Sequence, residues 1–257
     1  MTQKTVPQLT AMKGRERIAA LTAYDFQIAS MLDEIGIDIL LVGDSVGNVV
    51  YGLPTTIGVT VEDILRHTSA VARAAKRALV VADMPFGSYQ PSVEVAVTNA
   101  ARFLAEGGAQ AVKLEGGRPM EETIRRLVDV GIPVMGHVGL TPQSYHQIGG
   151  YRMRGKSTTE AEAIHQDALA VERAGAFSIV LECVEPTLAT EITRALKIPT
   201  IGIGSGNGCD GEVLVTNDLL GLTVSFVPKF VEPLVNLRTT ISEAARTYVT
   251  KVKENRK

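Results

Sequence analysis

The chain has 257 residues, 45% of them hydrophobic and 21% charged, with a net charge of -2. That profile belongs to a globular protein with enough length for a substantial core, as one large domain or two small ones. The near-neutral charge argues against a nucleic-acid or anionic-membrane partner, and no run reaches the roughly 18 apolar residues of a membrane-spanning helix.

The opening stretch "MTQKTVPQLTAMKGRERIAAL" has no apolar core of signal-peptide length. Within it, "VPQLTAMK" reads as an extra helix that caps the bottom of the fold. Short apolar runs then alternate with amphipathic stretches. The strands expected are "IAALTAYD" (18–25), "DILLVGDS" (38–45), "ALVVADMP" (78–85), "AQAVKLEG" (109–116), "PVMGHVGL" (133–140), "FSIVLECV" (177–184) and "PTIGIGSG" (199–206). A weaker run, "DLLGLTV" (218–224), is read as the eighth. Helical patterns such as "VEDILRHTSAVARAAKR" and "EAIHQDALAVERAG" lie between them, and the glycines of "AEGGA" and "RAGA" mark helix stops.

Strand–helix alternation specifies a parallel sheet. Eight units fit a (β/α)8 TIM barrel, a fold of roughly 250 residues. No low-complexity tract or proline-rich linker divides the chain, so residues 1–257 read as a single barrel domain. A doubly wound open sheet competes less well, because acids end strands in both halves and no single switch point stands out. The last two strands start so close together that any helix between them must be short.

Asp44, Asp83, Glu115 and Glu182 fall at the ends of the second, third, fourth and sixth strands, where barrels of this kind carry their active sites. Neighbouring strands are about 4.8 Å apart, so Asp44, Asp83 and Glu115 can converge. Converging carboxylates repel unless a cation joins them, and all-oxygen ligands favour Mg²⁺ or Mn²⁺ over zinc. The four histidines, His67, His137, His146 and His165, show no zinc spacing. Lys113 shares a strand face with Glu115 and can pair with a substrate carboxylate. His137 ends the fifth strand, and Glu182 lies across the mouth, placed to act as a general base. A lone acid after a strand most often caps the next helix. Four acids with a lysine and a histidine at one end of a barrel are read as a shared site.

His146 reads as a loop residue, and His67 and His165 as packing or surface residues on helical patterns. Cys183 and Cys209 are too few for a disulfide framework and fit a reducing cytoplasm; Cys183, pointing opposite to Glu182, reads as a small buried hydrophobe. "GNGCDG" (206–211) matches G-x-G-x-x-G, but too little chain follows to complete a dinucleotide-binding half. Its glycines are expected to let backbone pack closely at the end of the seventh strand.

Several motifs together resemble the ketopantoate hydroxymethyltransferase family: "LLVGDSVGNVVYG", "HTSAVARAAK", "DMPFGSYQ", "VKLEGG", "GHVGLTPQS", "GGYRMRGK", "LECV" and "IGIGSGNGCDGEVLV", in order between about residues 4 and 230. The resemblance implies a barrel of the phosphoenolpyruvate/pyruvate-binding type. It also implies transfer of a hydroxymethyl group from 5,10-methylenetetrahydrofolate to 2-oxoisovalerate (3-methyl-2-oxobutanoate), giving ketopantoate (2-dehydropantoate) in the first step of pantothenate biosynthesis. Carried over by position, it implies Mg²⁺ ligands at Asp44, Asp83 and Glu115 and keto-acid contacts at Asp44, Ser45, Asp83 and Lys113. Glu182 falls at the proton acceptor and His137 at a further active-site position.

The family further suggests a homodecamer of two stacked pentamers. The chain departs from it at Glu212, where glutamine is usual, at Asn217, where histidine is usual, and at Val231, Glu232 and Pro233, where basic residues are usual. A lyase or mutase of the same superfamily, cleaving a C–C or P–C bond, and a non-catalytic keto-acid-binding protein are the alternatives. For the loop "GGYRMRGK", two readings stay open for Arg152, Arg154 and Lys156: contacts to the folate's carboxylates, or ordinary solvated charge and subunit contacts.

Overall fold

Eight parallel strands follow one another around a closed barrel in sequence order. The computed structural model describes residues 3–150, 152–224 and 227–254; Tyr151 of the basic loop and residues 225–226, within the span of the family resemblance, lie outside the described residues. Two compact units divide the chain, Met1–Val213 and Leu214–Lys257.

In the first unit, helix α1 (Val6–Thr10) precedes β1 (Ile18–Thr22), α2 (Phe26–Glu34) and β2 (Ile39–Val42). A short α3 (Val46–Val49) and the long α4 (Val61–Ala74) lead to β3 (Leu79–Asp83). Next come α5 (Val93–Ala105), β4 (Ala111–Lys113), α6 (Glu121–Asp129) and β5 (Val134–Gly139). The chain continues through α7 (Tyr145–Ile148), α8 (Thr158–Arg173), β6 (Ser178–Glu182), α9 (Pro186–Ala195) and β7 (Thr200–Ile203). The last strand, β8 (Gly211–Leu214), leads into α10 (Thr216–Leu219) and α11 (Leu237–Glu254) of the second unit.

The helices start where the local chemistry starts them. Thr60 and Asp63 form a reciprocal capping box on α4, as do Thr5 and Gln8 on α1. Ser92 and Ser157 cap α5 and α8 through their hydroxyls.

Alternation along the strands sorts side chains into two cores. Ile39, Leu41, Leu79, Val81, Ala111, Met135 and Val180 belong to the interior core. Their neighbours Leu40, Val42, Val80, Ala82, Val112, Val134, Ile179 and Leu181 pack outward with the helices. Leu9 of α1 is fully buried in the interior core. The same parity carries inward-facing positions up the strands to Asp83 on β3, Lys113 on β4, His137 on β5 and Glu182 on β6.

The expected eighth strand is corrected. Residues 218–224 do not form a strand; α10 and a turn occupy that run, and β8 is Gly211–Leu214, paired in parallel with β7. Only residues 204–210 connect β7 to β8, and no helix lies among them. The true strand is four residues long and carries an exposed Glu212, so its apolar pattern is too short to stand out. The stretch "DLLGLTV" owes its apolar content to a helical turn instead. The glycine motif is thus the entry to the closing strand: a Cβ on Gly211 would sit 2.4 Å from the Ile18 carbonyl oxygen.

In the second unit, α11 has no buried residue among those described, and Ile241, Tyr248, Val249 and Val252 lie exposed along it. No helix among the described residues is long and apolar enough to cross a membrane.

Asp33, at the end of α2, organises the turn before β3. Its carboxylate accepts hydrogen bonds from the backbone N–H groups of Lys76 (3.0 Å), Arg77 (2.9 Å) and Ala78 (2.8 Å). Asp33 is 4% exposed, so Asp33→Ala leaves three backbone donors without their acceptor, that of Ala78 in a buried position. We expect a loss of about 2–4 kcal/mol in unfolding free energy by chemical denaturation, with Asp33→Asn losing less; a change below about 1 kcal/mol would show that the turn holds without this carboxylate.

Candidate active site

The C-terminal ends of β2 to β6 bring one cluster of polar groups together. Asp44 follows β2, Asp83 and Lys113 are the last residues of β3 and β4, Glu115 follows β4, His137 lies within β5 and Glu182 ends β6. Asp83 stands opposite Lys113 in the parallel register. Asp44, Asp83, Lys113, Glu115 and His137 are all buried, between 2% and 6% exposed.

None of these acids caps a helix. Capping falls to Asp25, which accepts from the Ile28 N–H at the start of α2, and to Glu185, which accepts from the Leu188 N–H at the start of α9. The site acids bond to one another's loops. The amide N–H of Asp44 donates to Asp83 Oδ2 at 3.2 Å. Lys113 Nζ lies 2.8 Å from Asp83 Oδ1 and 3.2 Å from His137 Nδ1. His137 Nε2 lies 3.1 Å from Glu182 Oε2, at an angle short of a hydrogen bond. Ser45 Oγ is 2.8 Å from the Tyr24 hydroxyl.

Burial sets the protonation of this cluster. Desolvation pushes the Asp83 pKa up to about 7, against the attraction of Lys113 and with the repulsion of Asp44. Desolvation likewise raises Glu115 well above the carboxylate range and Glu182 to about 8. For Lys113 burial is the largest single influence and pulls downward, yet Asp83, Glu115 and Asp44 together outweigh it and hold the amine charged. Burial and the Lys113 charge push His137 well below its usual value. The imidazole is therefore neutral. Since Lys113 donates to Nδ1, its proton sits on Nε2, toward Glu182.

Four carboxyl groups against one ammonium leave the mouth short of positive charge, and all the free donors are oxygens. Those residues fit a hard divalent cation. Among the described residues no three His, Cys, Asp or Glu side chains are gathered closely enough to enclose an ion by themselves.

One residue at the centre of the cluster was not singled out from sequence. Gln143, 3% exposed, donates from Nε2 to Asp44 Oδ2 and to the Met84 carbonyl, both at 2.9 Å. Its backbone N–H donates to Glu115 Oε2 at 3.1 Å. Its Oε1 accepts from the Tyr89 hydroxyl at 2.7 Å and from Gln90 Nε2 at 3.2 Å. The available signal was "GLTPQ", a proline-started turn directly after the strand of His137.

The remaining histidines stand apart. His67 contacts Tyr24 and Tyr51, His146 is exposed and stacks edge-on with Tyr145, and His165 lies on α8. Both cysteines are buried and free. In the basic loop Arg154 is engaged: Nε lies 2.5 Å from Glu160 Oε1. Arg152 and Lys156 are exposed. Arg152 and Arg154 line a cavity of about 480 Å³ with Gly116, Gly139, Glu160 and Asp167, flanking the ends of β4 and β5.

A closed parallel barrel with a buried lysine, a neutral histidine and four acids at its C-terminal mouth defines a (β/α)8-barrel enzyme. The model of the family "Ketopantoate hydroxymethyltransferase" matches residues 3–256. Proteins named 3-methyl-2-oxobutanoate hydroxymethyltransferase are close relatives. That of Syntrophus aciditrophicus is 55% identical, covering 97% of this chain and 92% of its own, and that of Geobacter sulfurreducens is 52% identical, covering 98% and 94%. The chain belongs to the ketopantoate hydroxymethyltransferase family.

Among solved structures, a phosphonopyruvate hydrolase superposes with a TM-score of 0.66 at 13% identity, covering 99% of this chain and 88% of its own. A 2,3-dimethylmalate lyase superposes with a TM-score of 0.62 at 16% identity, covering 98% and 86%. These share the barrel fold.

The ends of β5 and β6 meet with no room for a side chain. Gly139 has φ +96°, and a Cβ there would lie 2.4 Å from the Glu182 carbonyl oxygen and 2.5 Å from a Val184 methyl. Gly139→Ala combines left-handed strain with overpacking, so we expect a loss of about 2–4 kcal/mol in denaturant unfolding. Unchanged stability would mean that the two strand ends part easily.

Proposed function

We propose that this enzyme transfers a hydroxymethyl group from 5,10-methylenetetrahydrofolate to 3-methyl-2-oxobutanoate, giving ketopantoate for pantothenate biosynthesis, with Asp44, Asp83 and Glu115 holding Mg²⁺ directly or through water. The observation that carries this reading is the line of facing groups Asp83, Lys113, His137 and Glu182 across one barrel mouth. In this reading its Asp83 end serves the cation and its Glu182 end serves as the base, in a chain of this family. A solved phosphonopyruvate hydrolase that shares the fold is described as a complex with oxalate and Mg⁺⁺, with a TM-score of 0.64 and 13% identity, covering 98% of this chain and 88% of its own.

A bound divalent ion supplies a Lewis acid that stabilises negative charge on the keto acid. The residues of the chain do the rest. Lys113 pairs with the substrate carboxylate from the wall between Asp83 and His137, and Ser45 offers a hydroxyl beside it. Glu182 removes the C3 proton. Burial raises its pKa toward that needed for a carbon acid, and the neutral His137 ring lies beside it, with Nε2 3.1 Å from Oε2. Water hydrolyses the folate's methylene group: both carbon–nitrogen bonds break, the two protons of water go to the freed nitrogens, and its oxygen stays on the one-carbon unit. C3 bonds to that carbon, and the proton held by Glu182 passes to the new hydroxyl.

A lyase or mutase reading that needs a cysteine acid fits less well. Burial, with Glu182 nearby, pushes the Cys183 thiol up to about 12. The exposed apolar residues of α11 support assembly into a homo-oligomer, and the family resemblance suggests a decamer. Two buried free cysteines suit a cytoplasmic setting.

Consumption of 3-methyl-2-oxobutanoate should require both methylenetetrahydrofolate and Mg²⁺, and turnover with either omitted would sink the reading. Glu182→Gln should retain keto-acid binding while kcat falls by about 10²–10⁴-fold. Deuterium exchange at C3 without folate should fall with it; normal exchange in the variant would assign the base elsewhere.

The cavity beside β4 and β5 is proposed to receive the folate. Arg154 is hydrogen-bonded to Glu160, whereas Arg152 acts on that carboxylate only through its charge and is exposed, which leaves its guanidinium the better placed to meet the folate's carboxylates. Arg152→Ala should raise the KM for methylenetetrahydrofolate about 3- to 10-fold, as expected for a contact worth up to about 1 kcal/mol, and leave the keto-acid KM unchanged. Equal changes in both KM values would assign the loop to assembly instead.

A further inference from the structure

We propose that Gln143 is a positioning residue that makes the site selective for small octahedral cations over Ca²⁺, by taking one oxygen from each of two carboxylates. This rests on the Mg²⁺ reading above and extends it to a residue outside the acidic set.

The amide orientation is forced. Nε2 faces two acceptors, Asp44 Oδ2 and the Met84 carbonyl, while Oε1 faces two donors, the Tyr89 hydroxyl and Gln90 Nε2. Reversing the amide would set oxygen against oxygen. The residue is buried and sits on the loop that leaves β5, so it spans the loops that follow β2, β3, β4 and β5. With its backbone N–H on Glu115 Oε2, it occupies one oxygen of Asp44 and one of Glu115. Oδ1 of Asp44 and Oε1 of Glu115 are left to turn toward a cation.

That division matters because the candidate ions differ in appetite. Ca²⁺ takes about 6–8 oxygens at about 2.3–2.6 Å and commonly uses both oxygens of a carboxylate, whereas Mg²⁺ needs near-octahedral geometry at about 2.0–2.1 Å with single-oxygen contacts and retained waters. A carboxylate with one oxygen held by an N–H donor serves the second pattern and penalises the first. The same bonds anchor one oxygen of each acid, so that only the other is left to reach the ion. Outer-shell partners of metal ligands act in this way generally.

The test is Mn²⁺ binding, read by electron paramagnetic resonance of free Mn²⁺, with Ca²⁺ as competitor and no substrates present. Gln143→Met keeps length and burial but loses the side-chain bonds. Its Mn²⁺ affinity should fall about 10- to 100-fold, Ca²⁺ affinity should fall less, and the Mn²⁺/Ca²⁺ preference should narrow at least several-fold. A general loss of structure would lower both affinities together and leave their ratio unmoved. If Gln143→Met does not fold, Tyr89→Phe carries the same test, since it removes the hydroxyl that orients the amide and keeps the ring; its preference should narrow in the same direction. An unchanged ratio in a folded variant overturns the assignment of Gln143 while leaving the metal site standing. A wild-type protein that binds no Mn²⁺ overturns the metal reading and this inference with it.

Discussion

Lys113 carries its charge in a place that excludes water. Its amine sits 2.8 Å from Asp83, and both groups are nearly inaccessible. Such a pair is costly to bury unless its remaining hydrogen-bonding capacity is satisfied nearby. The barrel below cannot supply that, because the inward positions beneath the site are Leu79, Val81, Ala111 and Met135. Every compensating group must therefore come from the mouth. The Asp44 amide takes the other oxygen of Asp83, His137 offers Nδ1 to the amine, and Glu115 and Asp44 add negative potential around it. The ammonium thus determines how the ends of β2 to β5 are furnished. It also fixes the tautomer of His137, which turns an N–H toward Glu182 on the next strand.

The surplus of acid has the opposite consequence. A site with four carboxyls and one lysine could reduce its repulsion by protonation, and burial moves Asp83, Glu115 and Glu182 in that direction. The divalent ion proposed above would resolve the same conflict while keeping the carboxylates ionised. Glu182 lies at the far side of the lysine–histidine line from Asp83. As the proposed base, it is thereby kept apart from the acids proposed to hold the cation.

Much of this was legible from residue order. Parity along a strand is strict, so an inward Val81 places Asp83 inward, and Val180 places Glu182 inward. Three acids, Asp83, Glu115 and Glu182, share the inward phase of their strands and could be read before any coordinates, whereas Asp44 has the parity of the outward Leu40 and Val42 and turns into the mouth only because β2 has already ended. What failed had a physical cause. The closing strand is short and half polar, and the apolar residues nearby belong to a helical turn, so periodicity favoured the wrong segment. Gln143 carries no charge and follows a proline, which makes it look like ordinary loop chemistry. Its role arises from four loops meeting, a property of the fold and not of any local pattern. The same applies to the acids that do cap helices: in sequence, Asp25 after β1 and Asp44 after β2 look alike, and only three dimensions separate them.

The basic loop shows the same limit in a more informative way. Sequence draws attention to the charges of Arg152 and Arg154, yet the contribution of Arg154 to the site runs through its backbone. Its N–H donates to the Cys183 carbonyl at 2.7 Å, and its carbonyl accepts from the Glu185 N–H at 2.9 Å. On the other side, the Cys183 N–H bonds to Ile203, and Ser205 Oγ accepts from the Val184 N–H while donating to the Leu181 carbonyl. Between these ties Cys183 has φ +48°, the only positive value at a non-glycine position among the described residues. A left-handed residue of this kind costs about 1–3 kcal/mol and persists only where its surroundings over-determine it. Here they do, from β7 and from the loop after β5. The strained turn ends β6 immediately after Glu182, so the carboxylate is held by a backbone that cannot relax by continuing the strand. Glu160 completes the arrangement by binding both the Arg154 side chain and the Gly155 N–H. The loop that lines the cavity thereby becomes part of what aims Glu182.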